Sequence, residues 1–199
     1  MKQRQNRLIK RRDLLIGAGA GLALPLFASV PLRAETVLTP ACGDAAVPTA
    51  SQTEGPFYTP DTPLKADFTG DTAPGEVLVL QGFVLDPSCQ PVAGALVDLW
   101  HADRQGRYDN SGFVLRGHQI TDAAGRYRFM TCTPGDYPGR ARHFHVKVRA
   151  PKGPLLTTQL YFPDDPRRQN DFRFNPDLEV ALAGGEGRRT GRFDFVVQV

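Results

Sequence analysis

Two histidines separated by one residue, His143 and His145, close the segment Tyr137-Pro-Gly-Arg140-Ala-Arg-His143-Phe-His145-Val-Lys-Val148. On a β-strand alternate side chains share a face, so both imidazoles point one way and Phe144 points the other. Two neutral imidazoles on one face can share a metal ion. Two of the chain's four histidines stand here. Tyrosines supply the next candidates: Tyr137 follows the Pro134-Gly135 turn, and Tyr108 lies just beyond the run that ends in Leu99-Trp100. A phenol has a pKa of about 10 and ligates only when something lowers that value strongly. A ferric ion does this, and zinc or calcium does it less well. Two phenolates and two neutral imidazoles on Fe(III) leave a singly positive centre that can accept an anionic oxygen donor. A histidine–histidine–carboxylate set would instead suit ferrous iron, and no Asp or Glu stands at comparable spacing.

The elements around these residues are short β-type runs separated by turns. Val77–Leu85 is followed by the Asp86-Pro-Ser turn, and Gly94–Trp100 alternates Leu96, Asp98 and Trp100 with Val97 and Leu99. Gly117–Thr121, the Asp122-Ala-Ala-Gly125 turn and Arg126–Met130 come next; Tyr127 and Phe129 share one face. His143–Val148, Leu155–Phe162 and Arg192–Val199 complete a set of about seven strands. Such a series, punctuated by Gly, Pro and Asp, predicts an all-β chain with a β-sandwich core. Trp100, Tyr127 and Phe129 are expected in that core. Helical periodicity is absent apart from a turn or two around Pro176–Ala183. Residues 35–75, rich in Thr, Pro, Gly and Ala, are expected to form an irregular N-terminal arm, and residues 76–199 the sandwich.

The first 34 residues have the layout of an export signal: basic residues from Lys2 to Arg12, then a small and apolar run over Gly17–Val30, then Arg33-Ala34. The Arg11-Arg12 pair ahead of that run resembles a twin-arginine signal, which points to the periplasm or an exported location. Glycines and Pro25 interrupt the apolar run, which falls short of the roughly 20 residues that cross a bilayer, so no lasting transmembrane span is expected. The chain holds 24 basic and 21 acidic residues; without the first 34, which carry seven basic and one acidic, 17 and 20 remain, a net charge of −3. That balance offers no surplus of cations to follow a phosphate backbone, which argues against a nucleic-acid partner. Cys42, Cys89 and Cys132 lack metal-ligand spacing; in an oxidising compartment they allow one disulfide, of undetermined pairing, with one thiol left over.

Ordered along the chain, Thr53-Glu-Gly-Pro-Phe-Tyr58, Pro91–Trp100, Gly106-Arg-Tyr108, Gly117–Tyr127, Pro134-Gly-Asp-Tyr-Pro138, Arg140–His145 and Thr158-Gln-Leu-Tyr-Phe162 together resemble the intradiol ring-cleavage dioxygenases. That non-haem ferric family includes protocatechuate 3,4-dioxygenases and catechol 1,2-dioxygenases. The resemblance covers most of residues 50–165. It implies a β-sandwich, Fe(III) as cofactor, O2 as co-substrate and a small aromatic diol as substrate. The ring would open between the two hydroxyl-bearing carbons to give a cis,cis-muconate. By position it makes Tyr108, Tyr137, His143 and His145 the iron ligands, with Tyr137 the one that substrate displaces. It makes Arg140 the cation near the developing charge and Gln159 a supporting pocket residue. It also allows a homo-oligomer. The chain departs from catechol 1,2-dioxygenases in lacking their long N-terminal helical domain, and from protocatechuate 3,4-dioxygenases in a shorter Tyr137–His143 connection with Gly139 in place of a bulky residue. Both departures bear on which diol is accepted. A different class competes: the Pro91-Val-Ala-Gly-Ala-x-Val97 pattern also occurs in transthyretin-like sandwiches that bind without catalysis, although such a module has no use for two phenols and two imidazoles in register with an arginine.

Overall fold

The structure is a computed structural model and describes residues 47–199 except Glu186; the segment expected to be an export signal and the first part of the expected arm lie outside the described residues. Nine strands form among the described residues: β1 (Val77–Leu85), β2 (Leu96–Trp100), β3 (Arg116–Ile120), β4 (Arg126–Thr131), β5 (His143–Arg149), β6 (Leu156–Tyr161), β7 (Ala181–Gly185), β8 (Arg188–Arg192) and β9 (Phe195–Val196). The remaining regular elements are short 3₁₀ turns at Thr69–Asp71, Pro166–Asn170 and Pro176–Leu178.

Two sheets are stacked. One runs β4-β1-β8-β7, with β9 continuing the edge of β1; the other runs β3-β2-β5-β6. Between them lies one apolar core: Leu78, Leu80 and Val84 from β1 and Tyr127 and Phe129 from β4 meet Val97 and Leu99 from β2, Phe144, Val146 and Val148 from β5, and Leu160 from β6. Burying each large side chain contributes roughly 1.5–3 kcal/mol, and the alternation of β5 leaves His143, His145 and Lys147 on the outer face of the second sheet. The β-sandwich is the architecture expected from the turn-punctuated strands.

Two local expectations change. The C-terminal region forms a glycine-rich hairpin, β7–β8, followed by the short β9, instead of one strand over 192–199. Trp100 is fully buried, but it stands outside the apolar core, on the outer face with Asp98 and the histidines. Cys89 is disulfide-bonded, Cys132 is buried and free, and Cys42 lies outside the described residues. Residues 47–75 cross the molecule largely without strands. The Thr49 N–H bonds the Val196 carbonyl, the Gln52 N–H bonds Thr157, and Leu64 bridges to His118.

Candidate active site

The outer face of the second sheet is built by register. Trp100 on β2 lies opposite Arg116 on β3 and His145 on β5, and Asp98 lies opposite His118 and Lys147. On the other side of β5, His143 faces Tyr161 and His145 faces Gln159 on β6. Trp100 stacks under the His145 ring at 5.0 Å between centroids, 10° from parallel. The indole therefore forms a dry floor that fixes the plane of the imidazole.

The Nε2 atoms of His143 and His145 are 3.1 Å apart. His143 Nδ1 lies 2.7 Å from the Ala141 carbonyl and donates to it, which leaves its Nε2 as a lone pair. His145 Nδ1 is buried without a hydrogen-bond partner among the described residues. Neither tautomer of His145 satisfies the pair. A proton on Nε2 leaves Nδ1 bare, and a proton on Nδ1 sets two lone pairs against each other. Burial pushes the pKa of His143 down to about 4, and burial with the neighbouring His143 pushes that of His145 well below its ordinary value. Both rings are therefore neutral at physiological pH, and a cation between the two Nε2 atoms resolves the conflict of lone pairs.

Two loops bring the phenols to this place. The Asp103 carboxylate accepts the N–H groups of Gln105 and Arg107 and tightens the turn ahead of Tyr108. Gly106, at φ +76°, lies against the Asp136 carbonyl where a Cβ would overlap it, and Gly135 fits equally closely against the Arg104 carbonyl. These interlocked glycines put Tyr108 beside Tyr137, with ring centroids 6.0 Å apart; Tyr108 is also 6.0 Å from His145, and His143 is 4.7 Å from His145. After Tyr108, the Asp109 carboxylate accepts the N–H groups of Ser111, Gly112 and Val114, which hold its pKa down at about 2. Phe57 from the arm stacks on Tyr108 at 4.6 Å and meets Tyr137 edge-on at 5.9 Å. The Arg116 guanidinium, 1% exposed, donates to the Asp109 and Phe57 carbonyls and so clamps both segments that flank Tyr108. Burial raises the Tyr108 pKa, and the positive charge of Arg140 opposes that rise.

Arg140 turns into the same space. Its Nε donates to both oxygens of Asp171, and its Nη2 donates to Gln159 Oε1 at 2.6 Å. Gln159, fully buried, passes the link on by donating to the Thr53 carbonyl at 2.8 Å. Arg142 goes elsewhere, to Asp164 and Asp165 and the face of Phe162. The arm crosses above: Gly55, at φ +75°, lies so near that a Cβ would sit 3.3 Å from His145 Cε1. It is held by the Lys147–Glu54 ion pair, by Lys147 Nζ 4.1 Å from the Tyr58 ring centre, and by hydrogen bonds from Tyr58 and Thr62 to Asp98. Tyr58 thus pins the arm. His101, buried between the Ala102 carbonyl and Thr131, and His118, beside Thr62, make structural hydrogen bonds.

The structure thus gathers Tyr108, Tyr137, His143, His145, Arg140 and Gln159 into one place. It adds Asp171, Arg116, Phe57 and the Trp100 floor, which the sequence did not single out as site residues. Asp98, sharing the face of Trp100 in β2, was the available signal for the floor; Asp171 and Arg116 act through contacts that no spacing encodes. Among the described residues no three His, Cys, Asp or Glu side chains form a metal-binding group. The phenols of Tyr108 and Tyr137 lie beside the histidine pair, and two phenols with two imidazoles form a donor set suited to a hard trivalent ion.

The sequence and the β-sandwich both have known counterparts. Residues 53–198 match the family model described as Dioxygenase, and the chain belongs to the intradiol ring-cleavage dioxygenases. It is 33% identical over 172 residues to catechol 1,2-dioxygenase 2 of Acinetobacter lwoffii, covering 72% of this chain and 62% of that relative. It is 38% identical over 125 residues to the protocatechuate 3,4-dioxygenase beta chain of Burkholderia cepacia, covering 54% and 53%. Among solved structures, the dioxygenase domain of a dioxygenase–carbohydrate-binding fusion from Streptomyces sp. SirexAA-E is 46% identical. It superposes with a TM-score of 0.74 over 77% of this chain and 99% of that one. The chain spans less than two thirds of the length of the curated relatives it matches most strongly.

Proposed function

We propose that this chain is a ferric intradiol dioxygenase that opens a small aromatic 1,2-diol between its hydroxyl-bearing carbons. Both atoms of O2 enter the product, a cis,cis-muconate-type dicarboxylate. The observation that carries this reading is the convergence of two neutral, buried imidazole Nε2 atoms 3.1 Å apart with two phenol rings. His143, His145, Tyr108 and Tyr137 would hold the iron. A ferric ion held there would supply Lewis-acid chemistry toward the oxygens of an aromatic diol.

The residues of the chain do the rest. The family resemblance makes Tyr137, which sits on a loop edge and is half-buried like Tyr108, the phenol that would take a proton from the arriving diol. Tyr108, enclosed by Phe57 and the Arg116 clamp, stays in place. Arg140 presents a guanidinium to the charge that develops on the ring, a preorganised interaction worth on the order of 3 kcal/mol of barrier. The Trp100 floor and the arm at Gly55 exclude water around the imidazoles.

The mature chain is proposed to work outside the cytoplasm after export by the twin-arginine route, on the strength of Arg11-Arg12 and the apolar run behind them. No helix among the described residues is long and apolar enough to cross a membrane. The test of activity is oxygen uptake by iron-loaded protein with catechol, protocatechuate, hydroxyquinol and halocatechols, together with product spectra. One O2 consumed per diol with a ring-opened dicarboxylate supports the reading. A protein that takes up no iron and no oxygen with any of them overturns it in favour of a binding module. For location, a reporter that matures only when exported folded should lose its signal when Arg11 and Arg12 are both changed to lysine; retention would refute the route.

A further inference from the structure

Asp171 lies 31 residues beyond Arg140, between the 3₁₀ turns at Pro166–Asn170 and Pro176–Leu178, and its carboxylate has no solvent exposure. Oδ1 accepts from Arg140 Nε at 3.1 Å and from the Arg173 N–H at 3.0 Å; Oδ2 accepts from Arg140 Nε at 2.9 Å and from the Ala141 N–H at 3.0 Å. The two backbone donors hold the carboxylate rigid before it meets the arginine. At the other end of the guanidinium, Nη2 bonds Gln159 Oε1 at 2.6 Å and approaches the Tyr161 hydroxyl at 3.4 Å. Nη1 has no acceptor among the described residues. A guanidinium is planar, so fixing two of its nitrogens fixes the direction of the third. Because Asp171 already balances the charge of Arg140, what remains for a substrate is the oriented Nη1 group rather than a free cation.

We propose that Asp171 is a positioning residue of the reaction: it and Gln159 together aim Arg140 Nη1 at the aromatic diol. The proposal rests on the functional reading above. Asp171 would not touch the substrate and would act through Arg140. A merely structural role, tying the 171–173 segment to the start of β5, makes different predictions. Asn at 171 places an amide N–H against one of the two backbone donors, so the side chain must rotate and release the arginine. A misplacement of about 1 Å at such a group can cost on the order of a hundredfold in rate.

The experiment compares iron-loaded wild type, Asp171→Asn, Arg140→Met and the double variant. Asp171→Asn is expected to lower kcat roughly tenfold to a hundredfold with little change in KM. In the Arg140→Met background the same substitution should cost nothing further, since its target is gone. A second readout needs no activity: the Arg140 Nε–H resonance of the iron-free protein should be downfield and slow to exchange in wild type, and shifted and fast in Asp171→Asn. Should Asp171→Asn fail to fold, Asp171→Glu, which keeps the charge but displaces it by one methylene, must show the same loss of kcat. The proposal is overturned by an unchanged kcat in an active, folded variant, by an equal loss in both backgrounds, or by an unaltered Nε–H resonance. An inactive iron-loaded wild type would instead overturn the functional reading itself, a failure distinct from these.

Discussion

Stability of the iron-free domain should fall steeply as the solution is made mildly acidic, and three buried histidines set the amount. Burial pushes the pKa of His101 and of His143 down to about 4, and that of His145 well below normal. Unfolding returns each to about 6.5. Below that value the unfolded chain binds protons that the folded chain refuses, so stability is full above pH 6.5 and drains as the pH falls towards 4. Between pH 7 and 5.5 each histidine contributes a loss of about 1.2 kcal/mol, and the three together about 4 kcal/mol. Asp98, whose pKa burial raises, takes its proton first in the folded state and offsets part of this. Carboxylates held below their usual range, Asp109 and Asp165, matter only at lower pH. A domain stable by about 5–15 kcal/mol should therefore show a large drop in urea midpoint over this interval. His101→Gln should reduce the slope by about a third. A midpoint that stays level from pH 7 to 5.5, equivalent to less than about 1 kcal/mol, would refute the claim that all three imidazoles are neutral and dry.

Gly55→Ala should cost about 1–2 kcal/mol from its left-handed backbone alone. It should also weaken iron uptake by pressing on His145, measured by metal titration against wild type. Gly106→Ala combines the same strain with overlap of the Asp136 carbonyl, so it should part the two tyrosine loops. Its expected signature is a lower Tm together with loss of iron, and a variant that kept its iron would contradict the proposed loop interlock. Arg140→Ala should retain iron and slow turnover roughly a hundredfold. Arg142→Ala, which loses only the contacts to Asp164, Asp165 and Phe162, should lower stability while sparing kcat; the reverse pattern would exchange the roles of the two arginines.

Period-two alternation in 143–148 was enough to place both imidazoles on one face and Phe144, Val146 and Val148 in the core, because a strand buried on one side leaves no freedom in that choice. The hairpin of β7 and β8 escaped notice for a physical reason. Ala181–Gly185 is largely exposed at a sheet edge and gains its strand character from backbone pairing with β8, not from alternating burial. Trp100 is buried as its bulk predicts, and Asp98 two residues earlier marks its face as the polar one. The fit of Gly106 against Asp136 and the hold of Asp171 on Arg140 depend on how distant loops meet, which residue types and spacing do not carry.

Resonance Raman spectra of the iron-loaded chain, excited in its visible absorption band, test the central claim most directly. Two ligating phenolates predict enhanced tyrosinate vibrations that diminish in Tyr108→Phe and in Tyr137→Phe and vanish when both are changed. Iron bound without those vibrations, or vibrations indifferent to both substitutions, would contradict the two-tyrosine, two-histidine centre.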